Sequence, residues 1–147
     1  MQRRTFLQLA SGIMAAAIMM PLNALAAVWN KTAFQSTDVA GAVAGLQIPA
    51  AEPSDQIEVV APDRAENGAV VQIEVRSAIP GTEAIAIFAE KNPTPLIANF
   101  MFSNGADPFV VTRIKMADTA EVKAIVKAGG HYYSAGKTVE VLEDGCS

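Results

Sequence analysis

Between Asp55 and Leu142 the hydrophobic pattern has a period of two and is broken repeatedly by turn residues, which limits the chain more than any other feature. Residues 56–61, 69–77, 84–89, 96–102, 109–116, 121–128 and 131–142 each carry β-branched or aromatic residues in alternation. The turn chemistry lies in Glu66-Asn67-Gly68, Ile79-Pro80-Gly81, Asn92-Pro93-Thr94-Pro95, Asn104-Gly105-Ala106-Asp107-Pro108, Asp118-Thr119, Gly129-Gly130 and Ser134-Ala135-Gly136. Successive side chains of a strand point to opposite faces, so such segments bury one face and wet the other. In the segment 71–76, Val71, Ile73 and Val75 are assigned inward and Gln72, Glu74 and Arg76 to water. Short strands at this spacing, without intervening helices, predict a mainly β domain over residues 55–142, an immunoglobulin-like antiparallel β-sandwich.

Ahead of the sandwich, residues 27–54 read as a helix and a linker. Phe34, Val39, Val43 and Leu46 recur at three- and four-residue steps, and Ser36 or Thr37 can cap, which predicts a short helix over 37–45. Gly41 and Gly45 weaken it, so it should pack on something larger. Pro49 and Pro53 mark residues 47–54 as the linker.

Residues 1–26 have the make-up of a twin-arginine export signal. Arg3-Arg4 precede Thr5-Phe6-Leu7, an apolar run from Ile13 to Met20, a breaking Pro21 and the small-residue site Ala24-Leu25-Ala26. The apolar run is too short for a membrane span, which needs about 20 residues, so the expected product is a periplasmic protein with no membrane segment after cleavage. Removing the signal takes away two arginines and no acid, moving the formal charge from −4 to −6. That balance argues against nucleic acid as a partner.

The single cysteine, Cys146, follows the last predicted strand, in which Val139 and Val141 alternate with Glu140 and Leu142. Glu143, Asp144 and Gly145 neither pair well in a sheet nor pack in a core, so residues 143–147, ending in Cys146 and Ser147, are expected to form a free arm. In an oxidising compartment a lone cysteine is reactive, paired with another molecule, or capped. Other candidates have plainer explanations. His131 has no second imidazole with which to hold a metal. Arg113 and Lys115 read as a solvated basic face, and Tyr132 and Tyr133 place one ring on each face of a strand. With one histidine and no nucleophile elbow, the chain offers no catalytic set, and no cofactor or metal is expected.

Several stretches carry a family resemblance: Ala61-Pro62 with Ala65-Glu66-Asn67-Gly68-Ala69, Glu90-Lys91-Asn92-Pro93 with Pro95-Leu96, Thr112-Arg113-Ile114-Lys115-Met116-Ala117, and Ala128-Gly129-Gly130. In this order, between an export signal and a terminal cysteine, they resemble the SoxY family, sulfur-carrier subunits of the SoxYZ complex of thiosulfate oxidation. The resemblance implies a non-enzymatic carrier in a heterodimer with a SoxZ-like subunit. Thiosulfate-derived sulfur would be held covalently on Cys146, for partner enzymes that load, oxidise and hydrolyse the adduct. Where the family's arm reads Gly-Gly-Cys-Gly-Gly, this chain reads Asp144-Gly145-Cys146-Ser147, and its acids disfavour thiolate and repel anions. A reading from a different class is an exported sandwich module that only makes contacts, with Cys146 in an intermolecular disulfide or without a role.

Overall fold

The computed structural model describes residues 29–145; the export signal read at residues 1–26 and the pair Cys146 and Ser147 lie outside the described residues. Two short helices open the described chain, α1 (Lys31–Phe34) and α2 (Val39–Gly45). The helix predicted over 37–45 is therefore α2, but its cap is Asp38 rather than Ser36 or Thr37. The Asp38 carboxylate accepts from the Gly41 N–H at 2.6 Å, while the Ser36 hydroxyl donates to the Asp38 carbonyl. Helix α1 was not predicted; Asn30 caps it, accepting from the Ala33 N–H at 3.0 Å and donating to the Gly45 carbonyl at 2.8 Å. That side chain ties the two helices together, which neither could achieve through its own length.

Among the described residues nine strands follow: β1 (Glu52–Pro53), β2 (Ile57–Val60), β3 (Arg64–Ala65), β4 (Val71–Ser77), β5 (Thr82–Ala89), β6 (Leu96–Met101), β7 (Phe109–Ile114), β8 (Ala120–Ala128) and β9 (His131–Val141). The seven longer ones correspond to the seven alternating segments, and the fold is the β-sandwich that the period of two predicted. One sheet runs β1-β9-β8-β5-β6, with β3 also on β9, and the other runs β2-β4-β7. Val71, Ile73 and Val75 are buried between them, as assigned. Ile85, Ile87, Val122, Val126, Val139 and Met116 close the same core.

The larger sheet buries its other face too. Ala86 and Phe88 point away from the sandwich core, and with Leu96 and Ile125 they pack under Ala33, Ala42 and Ile48. The weak helices are thus held by a sheet surface rather than by propensity, and for α2 this is the packing that Gly41 and Gly45 called for. Tyr132 joins this outer cluster and Tyr133 the inner one, so the adjacent rings do lie on opposite faces.

Two features depart from the purely antiparallel expectation. Strand β1, inside the stretch read as a linker, pairs parallel to β9 through Glu52↔Tyr133 and Pro53↔Ser134. Strand β3, between the predicted strand 56–61 and the turn at Glu66-Asn67-Gly68, pairs parallel to the far end of β9 through Arg64↔Glu140 and Ala65↔Val141. Two-residue strands are too short for a periodicity to register, and both cover the edge of β9 left open by β8, as sheet edges are commonly covered.

Candidate functional site

Strand β9 delivers the chain to the candidate site, and its partners change over its last residues. Pairing with β8 ends at Ala120↔Val139. Beyond it, the Val141 N–H donates to the Thr119 hydroxyl at 2.9 Å and the Leu142 N–H to the Ala65 carbonyl at 3.0 Å. The next residues were expected to leave the fold, and here the structure corrects the sequence reading. The Glu143 carbonyl accepts from the Gly68 N–H at 2.8 Å, and the Gly145 N–H donates to the Met116 carbonyl at 3.0 Å. The Met116 N–H in turn donates to the Gly68 carbonyl at 2.8 Å. Glu143 and Asp144 expose their side chains, but Gly145 is buried. Acids and a glycine are poor strand formers, yet these hydrogen bonds use only backbone, so composition did not forbid them.

The crossing is tight enough to require glycine on both sides. A Cβ on Gly145 would overlap the Gly68 carbonyl, and a Cβ on Gly68 would overlap the Met116 carbonyl and stand 2.9 Å from the Gly145 nitrogen. Asn67 shapes the turn that brings Gly68 here, accepting from the Ala69 N–H at 2.7 Å. Met116 is fixed from both neighbours: the Asn92 side chain donates to the Lys115 carbonyl at 2.7 Å and accepts from the Ala117 N–H at 2.8 Å. The Met116 side chain is fully buried in the sandwich core. Sequence reasoning placed Gly68 and Asn92 in turns and Met116 at a strand end, but it did not connect them to the arm. Their only shared signal is that each lies in one of the stretches carrying the family resemblance.

The other candidates lie elsewhere or carry no assembled chemistry. His131 is exposed at the start of β9, beside the β8–β9 turn and at the opposite end of the sandwich. Arg113 and Lys115 are exposed, in agreement with a solvated basic face. Among the described residues, no cluster of histidine, cysteine or acids is arranged to hold a metal. An open cavity of about 420 Å³ is lined by Ile79, Pro80, Phe102 and Pro108 without a charged group, and it too is at the end away from Gly145. Ion pairs near the end of β9, Arg64–Glu140 at 2.9 Å between exposed side chains and Lys137–Asp63 at 2.9 Å between a half-buried lysine and an exposed acid, contribute little to stability.

A family model described as sulfur oxidation protein SoxY matches residues 42–146, from α2 through the arm to the cysteine. The chain belongs to the SoxY family. Among solved structures it is similar to the sulfur carrier protein SoxY from Chlorobium limicola f thiosulfatophilum, with 36% identity, 77% of this chain and 99% of that chain covered, and a TM-score of 0.65. A superoxide reductase (neelaredoxin) from Ignicoccus hospitalis is similar over 58% of this chain and 79% of its own, at 18% identity and a TM-score of 0.49, too little to bear on function. No curated protein matches the chain. The SoxY match includes Cys146.

Proposed function

We propose that this chain is a periplasmic sulfur carrier, exported by the twin-arginine pathway, that holds thiosulfate-derived sulfur covalently on Cys146. The observation that carries the reading is a SoxY-family match that runs to the cysteine itself. Loading joins the cysteine sulfur to the outer sulfur of thiosulfate, releases the thiol proton and passes two electrons to an acceptor on the loading enzyme. Hydrolysis by a partner then breaks the bond between the two outer sulfurs, releasing the terminal sulfonate as sulfate and leaving a persulfide on Cys146. A second partner, drawing oxygen from three waters and passing six electrons to its own acceptor, converts that outer sulfur to a sulfonate, which hydrolysis again releases as sulfate. The carrier supplies a thiol and a place to present it, and the chemistry belongs to the enzymes that visit. A SoxZ-like subunit is the partner in the carrier complex.

Intact-mass spectrometry of protein from cells grown on thiosulfate tests this reading. Sulfur or sulfonate additions should appear on the native chain, with loss of the signal mass, and vanish in Cys146→Ser. An unmodified Cys146 under active thiosulfate oxidation would overturn it. Co-expression with a cognate SoxZ-like chain should give a stable complex on size exclusion, and a monomer indifferent to that chain would count against the heterodimer.

A further inference from the structure

On the outer face of the larger sheet, β5 presents two alanines, Ala84 and Ala86, where its neighbours present long side chains. The register sets Ala84 between Met101 of β6 and Lys127 of β8, and Ala86 between Asn99 and Ile125. Tyr132 of β9 stands beside Lys127 in the same row. Short side chains between taller ones leave a trough, here a cavity of about 260 Å³ whose floor is apolar. Leu46 and Ile48, from the turn after α2, wall one end of it. That turn is made by Gln47 at a φ of 58°, a conformation usually given to glycine. Its N–H donates to the Ala44 carbonyl at 2.9 Å and the Ile48 N–H to the Val43 carbonyl at 3.1 Å, which folds the chain back onto the sheet. The polar part of the lining is an ammonium, a hydroxyl and two amides, from Lys127, Tyr132, Asn99 and Gln47, all able to donate to an oxyanion. Lys127 is the only charged residue in that lining. The Glu83 carboxylate outside it lies 3.1 Å from the ammonium, and this hydrogen bond holds the Lys127 pKa above the ordinary lysine value. Both side chains of the pair are partly exposed, so the pair itself is weak and Lys127 can turn to a second anion.

We infer that this trough binds a small organic acid, with its apolar body on Ala84, Ala86 and Ile125 and its carboxylate or sulfonate head at Lys127. At about 30 Å³ for each water-sized group, the cavity has room for a body of about eight non-hydrogen atoms. Laying that body on the alanines removes apolar surface from water, which supplies the affinity. Lys127 adds a charge-assisted hydrogen bond, and the neighbouring Tyr132 hydroxyl offers a second donor to the same head. Shape and charge both select the ligand. An inorganic anion leaves the apolar floor wet, and an alkylamine sets like charge against Lys127. None of these residues takes part in sulfur carriage, so the two readings stand or fall separately.

Titration of the isotope-labelled full chain with octanoate and with 1-octanesulfonate, followed through amide chemical shifts, tests the site. Saturable shifts should concentrate on residues 46–48, 84–86, 99–101, 125–127 and 132. Inorganic sulfate and octylammonium at the same concentrations should produce no saturable shift there. Lys127→Met keeps the stem and removes the charge, and should weaken both acid probes about threefold to fivefold, the scale of a partly exposed charge contact. Glu83→Gln releases Lys127 and removes a competing anion, and should tighten both about twofold. These two variants break the same ion pair, so a merely structural role would move them alike. Ala84→Leu raises the floor and should abolish binding; if it does not fold, the Lys127 and Glu83 variants decide. A stronger response to one acid probe than to the other names the preferred head group and supports the site. Shifts scattered over the surface, octylammonium binding as well as octanoate, or Lys127→Met and Glu83→Gln changing affinity in the same direction would each overturn it.

Discussion

The two ends of this sandwich use glycine for opposite reasons. At one end the β8–β9 turn places Gly129 and Gly130 at φ of 56° and 79°, and a Cβ on either would meet nothing within 4 Å. Those residues supply a backbone conformation in open space. At the other end Gly68 and Gly145 have no such torsion to satisfy, and each would drive a Cβ into the backbone of a neighbouring segment. They supply room. The first kind reverses the chain and leaves the turn interchangeable with other tight turns. The second lets three segments far apart in sequence share hydrogen bonds at the root of the arm. The end that needs space is the end that holds Gly145, the last described residue.

The largest expected effect tests that asymmetry directly. Cys146→Ser should abolish sulfur loading, while a one-atom change beyond the last described hydrogen bond should alter stability by less than about 0.5 kcal/mol. Thermal unfolding of both forms checks the second half. A clear fall in melting temperature would make the cysteine a packing residue and remove the distinction between arm and body.

Next come the glycines themselves. Gly145→Ala must either push the Gly68 carbonyl aside or release the arm, and overpacking against backbone costs about 1–3 kcal/mol. Gly129→Ala carries a left-handed penalty of about 1–2 kcal/mol, partly offset by the lower entropy of the unfolded chain, so a net loss of about 1 kcal/mol is expected. Urea unfolding gives both values, and amide exchange separates them. Gly145→Ala should lose protection at Gly145 and Gly68, whereas Gly129→Ala should leave that end untouched. Equal and delocalised effects would show that the two ends do not differ in kind.

How much of this was legible depended on whether a feature had a period. Strands β4, β5 and β8 bury alternate residues between the sheets, and Val71, Ile73 and Val75 could be placed inward from sequence alone. The helix α2 showed its apolar spacing, although Asp38 took the cap because its carboxylate reaches the Gly41 N–H. Strands β1 and β3 were invisible, since two residues have no pattern and their pairing is decided by the exposed edge of β9. The arm was misread for a related reason. Glu143, Asp144 and Gly145 have side chains that favour solvent or nothing, and the bonds that hold them run through peptide groups, which every residue owns equally. Cys146 could be singled out because it is the only cysteine, but the hydrogen bonds that hold Gly145 required knowing that Gly68, Asn92 and Met116 are neighbours.

The smallest effect concerns Asp144, which stands where the family's arm carries glycine. Its side chain is exposed, yet its neighbours are both tied through backbone: the Glu143 carbonyl to Gly68 and the Gly145 N–H to Met116. Asp144→Gly therefore gains little from added backbone freedom while these two hydrogen bonds hold, and its effect should be mainly electrostatic. A unit charge about 6 Å from an approaching charge in water is worth on the order of 0.7 kcal/mol, or about threefold in rate. Enzyme-driven loading of Asp144→Gly should thus run about threefold faster at low salt. The gain should fade toward parity as ionic strength rises and the screening length drops to about 3 Å at 1 M. A gain that persists undiminished at high salt would mean that the glycine acts through the backbone. Glu143 and Gly145 would then be held less firmly than their backbone hydrogen bonds imply, and the contrast between the two ends would fail where it matters most.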